Sequence, residues 1–125
     1  TAQVCERIWG ADWRVELGRM GFELSEPLGY RALIERVRSV CAVITDSGGL
    51  QKEAYGFQKP CVVTRPVTEW VELVEHGAVH LCGEPEEMAA AWNWVAQAVP
   101  PDVGLYGRGQ AARQIAEAMS QSPWR

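Results

Sequence analysis

Two rhythms of apolar residues alternate along the chain. In "YRALIERVRS" (30–39), Leu33, Ile34 and Val37 recur at helical spacing, while Arg31, Glu35 and Arg38 take the wet side. "VCAVIT" (40–45) is instead apolar without a break and rich in β-branched residues, which predicts a parallel strand covered on both faces. The helical rhythm returns in "LQKEAYGF" (50–57), with Leu50, Ala54 and Phe57 on one face. "KPCVVT" (59–64) predicts a second buried strand, entered through Pro60, where a missing N–H does least harm. "TEWVELVEHG" (68–77) predicts a short helix capped by Thr68, acidic in its first turn and stopped by Gly77. "AVHLCG" (78–83) predicts a third short strand. "EPEEMAAAWNWVAQAV" (84–99) predicts a helix with Pro85 in its first turn, ending before Pro100 and Pro101. After the turn-rich "PPDVGLYGRG", a last helix is predicted from about Gln110 to Met119.

Upstream of this alternation the pattern is mixed. From Thr1 to about Met20 it reads as helical, with Val4, Ile8, Val15 and Leu17 turned inward. A short strand around Phe22 to Leu24 and a loop holding Pro27 and Gly29 follow. The final "SQSPWR" is expected to fray, and no internal repeat is evident. Strands alternating with helices through short loops imply right-handed βαβ units. The predicted fold class is therefore α/β: a Rossmann-like parallel sheet flanked by helices. Ligands of such sheets bind beyond the carboxyl ends of the strands.

Composition narrows the classes of function. A chain of 125 residues, 47% hydrophobic and 22% charged, suits one globular domain with a real core. A net charge of −4 gives no support for nucleic-acid or membrane-surface binding. Six tryptophans are many for this length, and most are read as packing residues. Cys5, Cys41, Cys61 and Cys82 show no C-x-x-C spacing, and Cys41 and Cys61 fall in apolar runs. They suit small buried hydrophobes in a reducing compartment better than a metal site or a disulfide framework. With no apolar run near the roughly 18 residues of a membrane span and no signal peptide, a cytoplasmic protein is expected. The absence of an initiator Met, with Thr1 leading into a helical pattern, suggests a piece of a longer protein.

The candidate chemistry lies in "ITDSGGLQKEA" (44–54), where the first predicted strand meets a helix. A helix start carries unpaired N–H groups and about half a positive charge, so it attracts anions. Gly48 and Gly49 would let a phosphate approach the backbone, and the Ser47 hydroxyl could cap the helix or donate to a phosphate oxygen. Glu53, about one turn beyond Gly49, could accept hydrogen bonds from both hydroxyls of a ribose. Together they suit a nucleoside diphosphate. The same residues equally suit a Ser-capped helix with a tight glycine turn and a solvated Glu53.

Four motifs in order, "EPLGY", "ITDSGGLQKEA", "KPCVVTRPVTEWVELVEHGAVHLCG" and "YGRGQAARQIAEAM", resemble the C-terminal half of the non-hydrolysing UDP-N-acetylglucosamine 2-epimerases. The resemblance spans roughly Pro27 to Met119. It implies one of two Rossmann-like domains in a GT-B arrangement, the C-terminal one gripping UDP while the sugar faces the interdomain cleft. Residues 1–120 would then be that UDP-binding domain, 121–125 a frayed tail, and the N-terminal catalytic domain would lie outside this chain. By the same match Ser47 and Gly49 contact the diphosphate, Gly48 belongs to the turn, and Glu53 binds the ribose. Asp46 is expected to order the turn. Thr68 and Glu69 match a T-E pair at the cleft edge, and Arg65 matches an arginine ending the second strand, with a plain surface cation the equal alternative.

The sequence departs from the family at several points. Trp70 follows the T-E pair where Arg is common, Leu33 stands where an aromatic often packs on uracil, and Arg108 replaces an acid in "GLYGRG". The implied chemistry is proton abstraction at the sugar C2, anti elimination of UDP and re-addition to the opposite face, in making precursors of cell-surface polysaccharides. Its carboxylates belong to the N-terminal domain, and a histidine to an H-P-R-T-like motif that Thr1 would end. His76, a helix C-terminal cation, and His80, a strand residue, do not replace them. The chain alone is expected to be inert, to bind UDP or a UDP-amino sugar without cofactor or metal, and to come from a homodimeric parent. Two alternatives stay open: the UDP-binding half of a GT-B glycosyltransferase, and a non-catalytic nucleotide-sugar binding module.

Overall fold

The computed structural model describes residues 2–121. The expectations for Thr1 and for the tail beyond residue 121 lie outside the described residues. The chain divides into two compact units, Thr1–Leu33 and Ile34–Arg125. In the first unit, α1 (Ala2–Trp9) and α2 (Trp13–Arg19) replace the single helical stretch expected, and α3 (Tyr30–Ser39) begins near its end. Gly10, at φ +76°, makes the break, since this left-handed conformation ends a helix and costs glycine little. Two expectations fail here. Phe22 to Leu24 pair with no strand, and Val4, Ile8 and Val15 are exposed, leaving Trp13 as the buried residue of α2.

The second unit is built on a sheet of three parallel strands, β1 (Val43–Thr45), β2 (Cys61–Val63) and β3 (Val79–Leu81), in that order. The helices α4 (Gly48–Gly56) and α5 (Val71–Glu75) connect them, and a short 3-10 turn (Pro85–Glu87), α6 (Met88–Gln97) and α7 (Ala111–Ser120) follow. Each strand pairs in step: Val43 with Cys61 and Val79, Thr45 with Val63 and Leu81. The carboxyl ends of all three strands are thereby level. The central β2 is buried at every residue, as a strand covered on both faces should be. β1 is not: it is an edge strand in the described residues, and Ile44 is exposed. Pro60 enters β2 as expected, its carbonyl accepting the Val43 N–H at 3.0 Å.

Packing around β2 decides the inward faces. Val62 and Cys82 meet Ala91 of α6, with Met88, Trp94 and Val95 closing around them. On α4 the buried residues are Gln51, Ala54 and Tyr55, so the face runs one residue away from the Leu50–Ala54–Phe57 stripe. Cys61 and Cys82 are buried free thiols, but Cys41 is exposed, because the strand starts after it. Burial pushes the Cys61 thiol up to about 12.

Candidate functional site

The level strand ends bring three segments to one edge of the second unit: 46–49 after β1, 64–70 after β2 and 82–85 after β3. Ser47 stands at the N-cap position of α4 with extended backbone, and its hydroxyl makes no capping bond to the helix. The turn is ordered by Thr45, whose Oγ1 accepts the Ser47 N–H at 3.0 Å, a role expected of Asp46. Gly48 and Gly49 are helical with ordinary φ, so neither is needed for an unusual backbone conformation. They differ in surroundings. A Cβ on Gly48 would overlap the Glu69 carboxylate, while one on Gly49 would meet nothing within 4 Å. Glu53 lies further along α4 and is half-buried.

The segment after β2 closes over this turn. Arg65 Nη2 and Glu69 Oε2 form an ion pair at 2.6 Å. A hydrogen bond from its own backbone N–H, and then the Arg65 guanidinium, hold the Glu69 carboxyl below the usual carboxylate range. Arg65 Nε is shielded from solvent and lacks a hydrogen-bond partner among the described residues. Thr68 does not cap α5, whose N-cap position is Trp70. Its hydroxyl instead accepts the Trp70 N–H at 3.2 Å and donates to Gln51 Oε1 at 2.7 Å. The Trp70 indole N–H donates to the Gly48 carbonyl at 2.9 Å.

Behind the turn lies an aromatic and ionic cluster. Lys52 Nζ sits 3.3 Å from the centroid of the Trp70 ring and 4.5 Å from that of Tyr106. Tyr106 donates to Glu72 Oε1 at 2.7 Å. That bond, then one from the backbone, lowers the Glu72 carboxyl, while burial followed by the same Glu72 bond raises the Tyr106 hydroxyl. Tyr55 donates to the Asp102 carbonyl and accepts from the Leu105 N–H, tying the 102–106 loop to α4.

The structure thus brings Ser47, Gly48, Arg65, Thr68 and Glu69 together, with Gly49 beside them. Arg108 is exposed, with no hydrogen bond or ion pair joining it to 47–49 among the described residues. Leu33 is half-buried on α3 and belongs to the first unit. Gln51, Lys52 and Tyr106 were missed by sequence reasoning. Gln51 carried a signal: it is polar yet falls at i, i+3, i+4 with Ala54 and Tyr55, the spacing of a buried face. Lys52 and Tyr106 carried none, since the rings around the ammonium come from distant segments. His76 ends α5, its Nε2 3.0 Å from the Asp102 carbonyl, and His80 stacks on Trp94 at 5.2 Å. Among the described residues no cluster of three or more His, Cys, Asp and Glu side chains could hold a metal ion, and no helix is long and apolar enough to cross a membrane.

A hollow of about 290 Å³, lined by Thr64, Cys82, Gly83, Glu84, Pro85 and Met88, opens at the same carboxyl edge. A larger one of about 480 Å³ runs along His76, Gly77, Trp94 and Pro100–Asp102. It lies where α5 returns to the start of β3, away from the glycine turn.

A parallel sheet with helices between its strands and a glycine turn at its carboxyl edge is the Rossmann-like class of α/β domain. Residues 5–120 match the profile of the UDP-N-acetylglucosamine 2-epimerase family, and the chain belongs to that family. It is 42% identical over 109 residues to UDP-2,3-diacetamido-2,3-dideoxy-D-glucuronate 2-epimerase of Pseudomonas aeruginosa, covering 82% of this chain and 31% of that protein. It is 45% identical over 110 residues to a UDP-N-acetylglucosamine 2-epimerase of Campylobacter jejuni, covering 74% of this chain and 26% of that one. The chain therefore spans about a third or less of the length of these relatives. The fold matches UDP-GlcNAc 2-epimerase of Methanocaldococcus jannaschii with a TM-score of 0.71 at 23% identity, over 94% of this chain and 38% of that one. It also matches a structure of S. aureus MnaA with UDP, with a TM-score of 0.62 at 29% identity, over 95% of this chain and 32% of that one. The fold is accordingly one half of the GT-B architecture, as the sequence motifs implied.

Proposed function

We propose that this chain is the UDP-gripping domain of a UDP-N-acetylglucosamine 2-epimerase-like isomerase, which inverts C2 of a UDP-amino sugar by eliminating and re-adding UDP. The observation that carries this reading is the start of α4: an N-terminal turn at the carboxyl edge whose Gly49 faces open space, with an acid one turn further on. The Ser47 hydroxyl, which makes no capping bond, donates to a phosphate oxygen, the 48–49 backbone receives the diphosphate, and Glu53 takes the ribose hydroxyls. Arg65, whose Nε has no partner among the described residues, is the cation at the edge of the same turn. Thr68 and Glu69 border the sugar side. Arg108 and Leu33 are secondary candidates for phosphate and base. The reading is supported by family membership and by the UDP held in the MnaA structure.

The acid–base groups are assigned to the rest of the parent protein, because neither histidine stands at the glycine turn. His76 lies where α5 returns toward β3, and the His80 ring is stacked on Trp94. A cytoplasmic, homodimeric parent serving cell-surface polysaccharide synthesis completes the proposal. Titrating UDP while following backbone amide signals tests it: shifts should concentrate between Ser47 and Glu53, and shifts confined to other segments would reject it. Ser47→Ala and Glu53→Ala should each weaken UDP binding by roughly 1–3 kcal/mol, the cost of a lost hydrogen bond to a charged group. Incubated with UDP-N-acetylglucosamine, the chain by itself should form no 2-epimer by proton NMR.

A further inference from the structure

Gln51 is the polar side chain buried without any exposure among the described residues. A buried amide is tolerated when both of its ends are paired, and here both are. Gln51 Nε2 donates to the Ser47 carbonyl at 3.4 Å, and Gln51 Oε1 accepts the Thr68 hydroxyl at 2.7 Å. Thr68 Oγ1 takes the Trp70 N–H at 3.2 Å, and the Trp70 indole N–H returns to the Gly48 carbonyl at 2.9 Å. These bonds close a ring between the first turn of α4 and the segment after β2. The carbonyls at both ends of the ring belong to the residues proposed to hold the diphosphate.

The far side of the ring carries the Arg65–Glu69 ion pair, and the Glu69 carboxylate occupies the space beside Gly48. The α4 turn and the 68–70 segment that carries Glu69 are therefore tied through the buried amide and the Trp70 indole. We infer that Gln51 is a positioning residue: it fixes the angle between the Ser47–Gly49 backbone and the Arg65–Glu69 pair, so that a nucleoside diphosphate on the turn is also sensed at Arg65, Glu69 and Trp70. This rests on reading the turn as a UDP grip. Gln51 itself touches no ligand. Its carbonyl oxygen and one amide N–H are taken by Thr68 and Ser47.

UDP titration of the chain, followed at backbone amides and the Trp70 indole N–H, tests the inference. In the wild type, UDP should shift Ser47–Gly49 together with Arg65, Glu69 and the Trp70 indole. Gln51→Met, which fills the space but makes neither bond, should lower UDP affinity about tenfold and weaken the shifts at Arg65 and Glu69, while those at Ser47–Gly49 and at the Trp70 indole, still bonded to the Gly48 carbonyl, remain. Thr68→Val should do the same, Thr68→Ser should restore the wild-type response, and adding Thr68→Val to Gln51→Met should cost less than the two single losses combined. Gly77→Ala, which loosens the other end of α5, should leave the UDP response unchanged and so separates positioning from general destabilisation. If Gln51→Met and Thr68→Val keep the wild-type affinity and linked shifts, the inference is overturned while the UDP reading stands. If the wild type shows no UDP shifts between Ser47 and Glu53, the underlying reading falls and this inference with it.

Discussion

A methyl group added to Gly48 would overlap the Glu69 carboxylate, whereas the same group on Gly49 would meet open space. The two substitutions therefore probe different surroundings of the same turn. Gly48→Ala meets only the far end of the exposed Glu69 side chain, which can swing aside and give up its ion pair with Arg65, so the variant's melting temperature should stay close to that of the wild type. Gly49→Ala gains up to about 0.5–1 kcal/mol of helix preference, yet it puts a methyl where the proposed diphosphate sits. Its melting temperature should hold or rise while UDP affinity drops about tenfold, equivalent to ~1.4 kcal/mol. A stable Gly49→Ala variant that binds UDP like the wild type would refute the close approach of phosphate to that backbone. The cysteines divide in the same way. Exposed Cys41 should react with a thiol reagent near pH 8, and buried Cys61 should react only on unfolding.

The connecting helices show how far pattern reading reaches. The helical spacing of "YRALIERVRS" reproduced α3 to the residue, and Gly77 ends α5 in the left-handed conformation that its position predicted. At φ +72° an added Cβ is strained whatever the space around it, so Gly77→Ala should lower stability by about 1–2 kcal/mol in chemical denaturation. Where elements meet, pattern reading stops. Thr68 has the right residue type for a cap, yet α5 begins at Val71 and the Thr68 hydroxyl serves a residue 17 positions upstream. Phe22 to Leu24 have strand-forming residues but no partner strand, and an extended segment without a ladder is not a strand.

In the second unit as a whole, the fully buried β2 is the structural centre, and its Cys61 gives stability a pH dependence. The thiol rises from 9.0 to about 12 because burial penalises the thiolate. A raised acid favours the native state at full strength below the unfolded value. That contribution is lost as pH climbs through the folded one. Stability should therefore fall between about pH 9 and pH 12, and a Cys61→Ala variant, weaker at neutral pH for its lost volume, should show a shallower alkaline decline in urea denaturation. An equally steep decline in that variant would remove Cys61 as the cause.

The kinds and order of the elements in the second unit, the parallel sheet and the turn after β1 were legible in the sequence, because they follow from local periodicity, glycine placement and β-branching. The family followed from motifs in register. Folding alone decided that Ile44 lies on an edge, that Cys41 stays wet, and that Gln51 is interior while Leu50 is only half-buried. It also seated Glu69 beside Gly48 and Lys52 between two rings. Periodicity marks a face but not what will cover it, and these contacts join side chains that become neighbours only after strands far apart in the chain have paired.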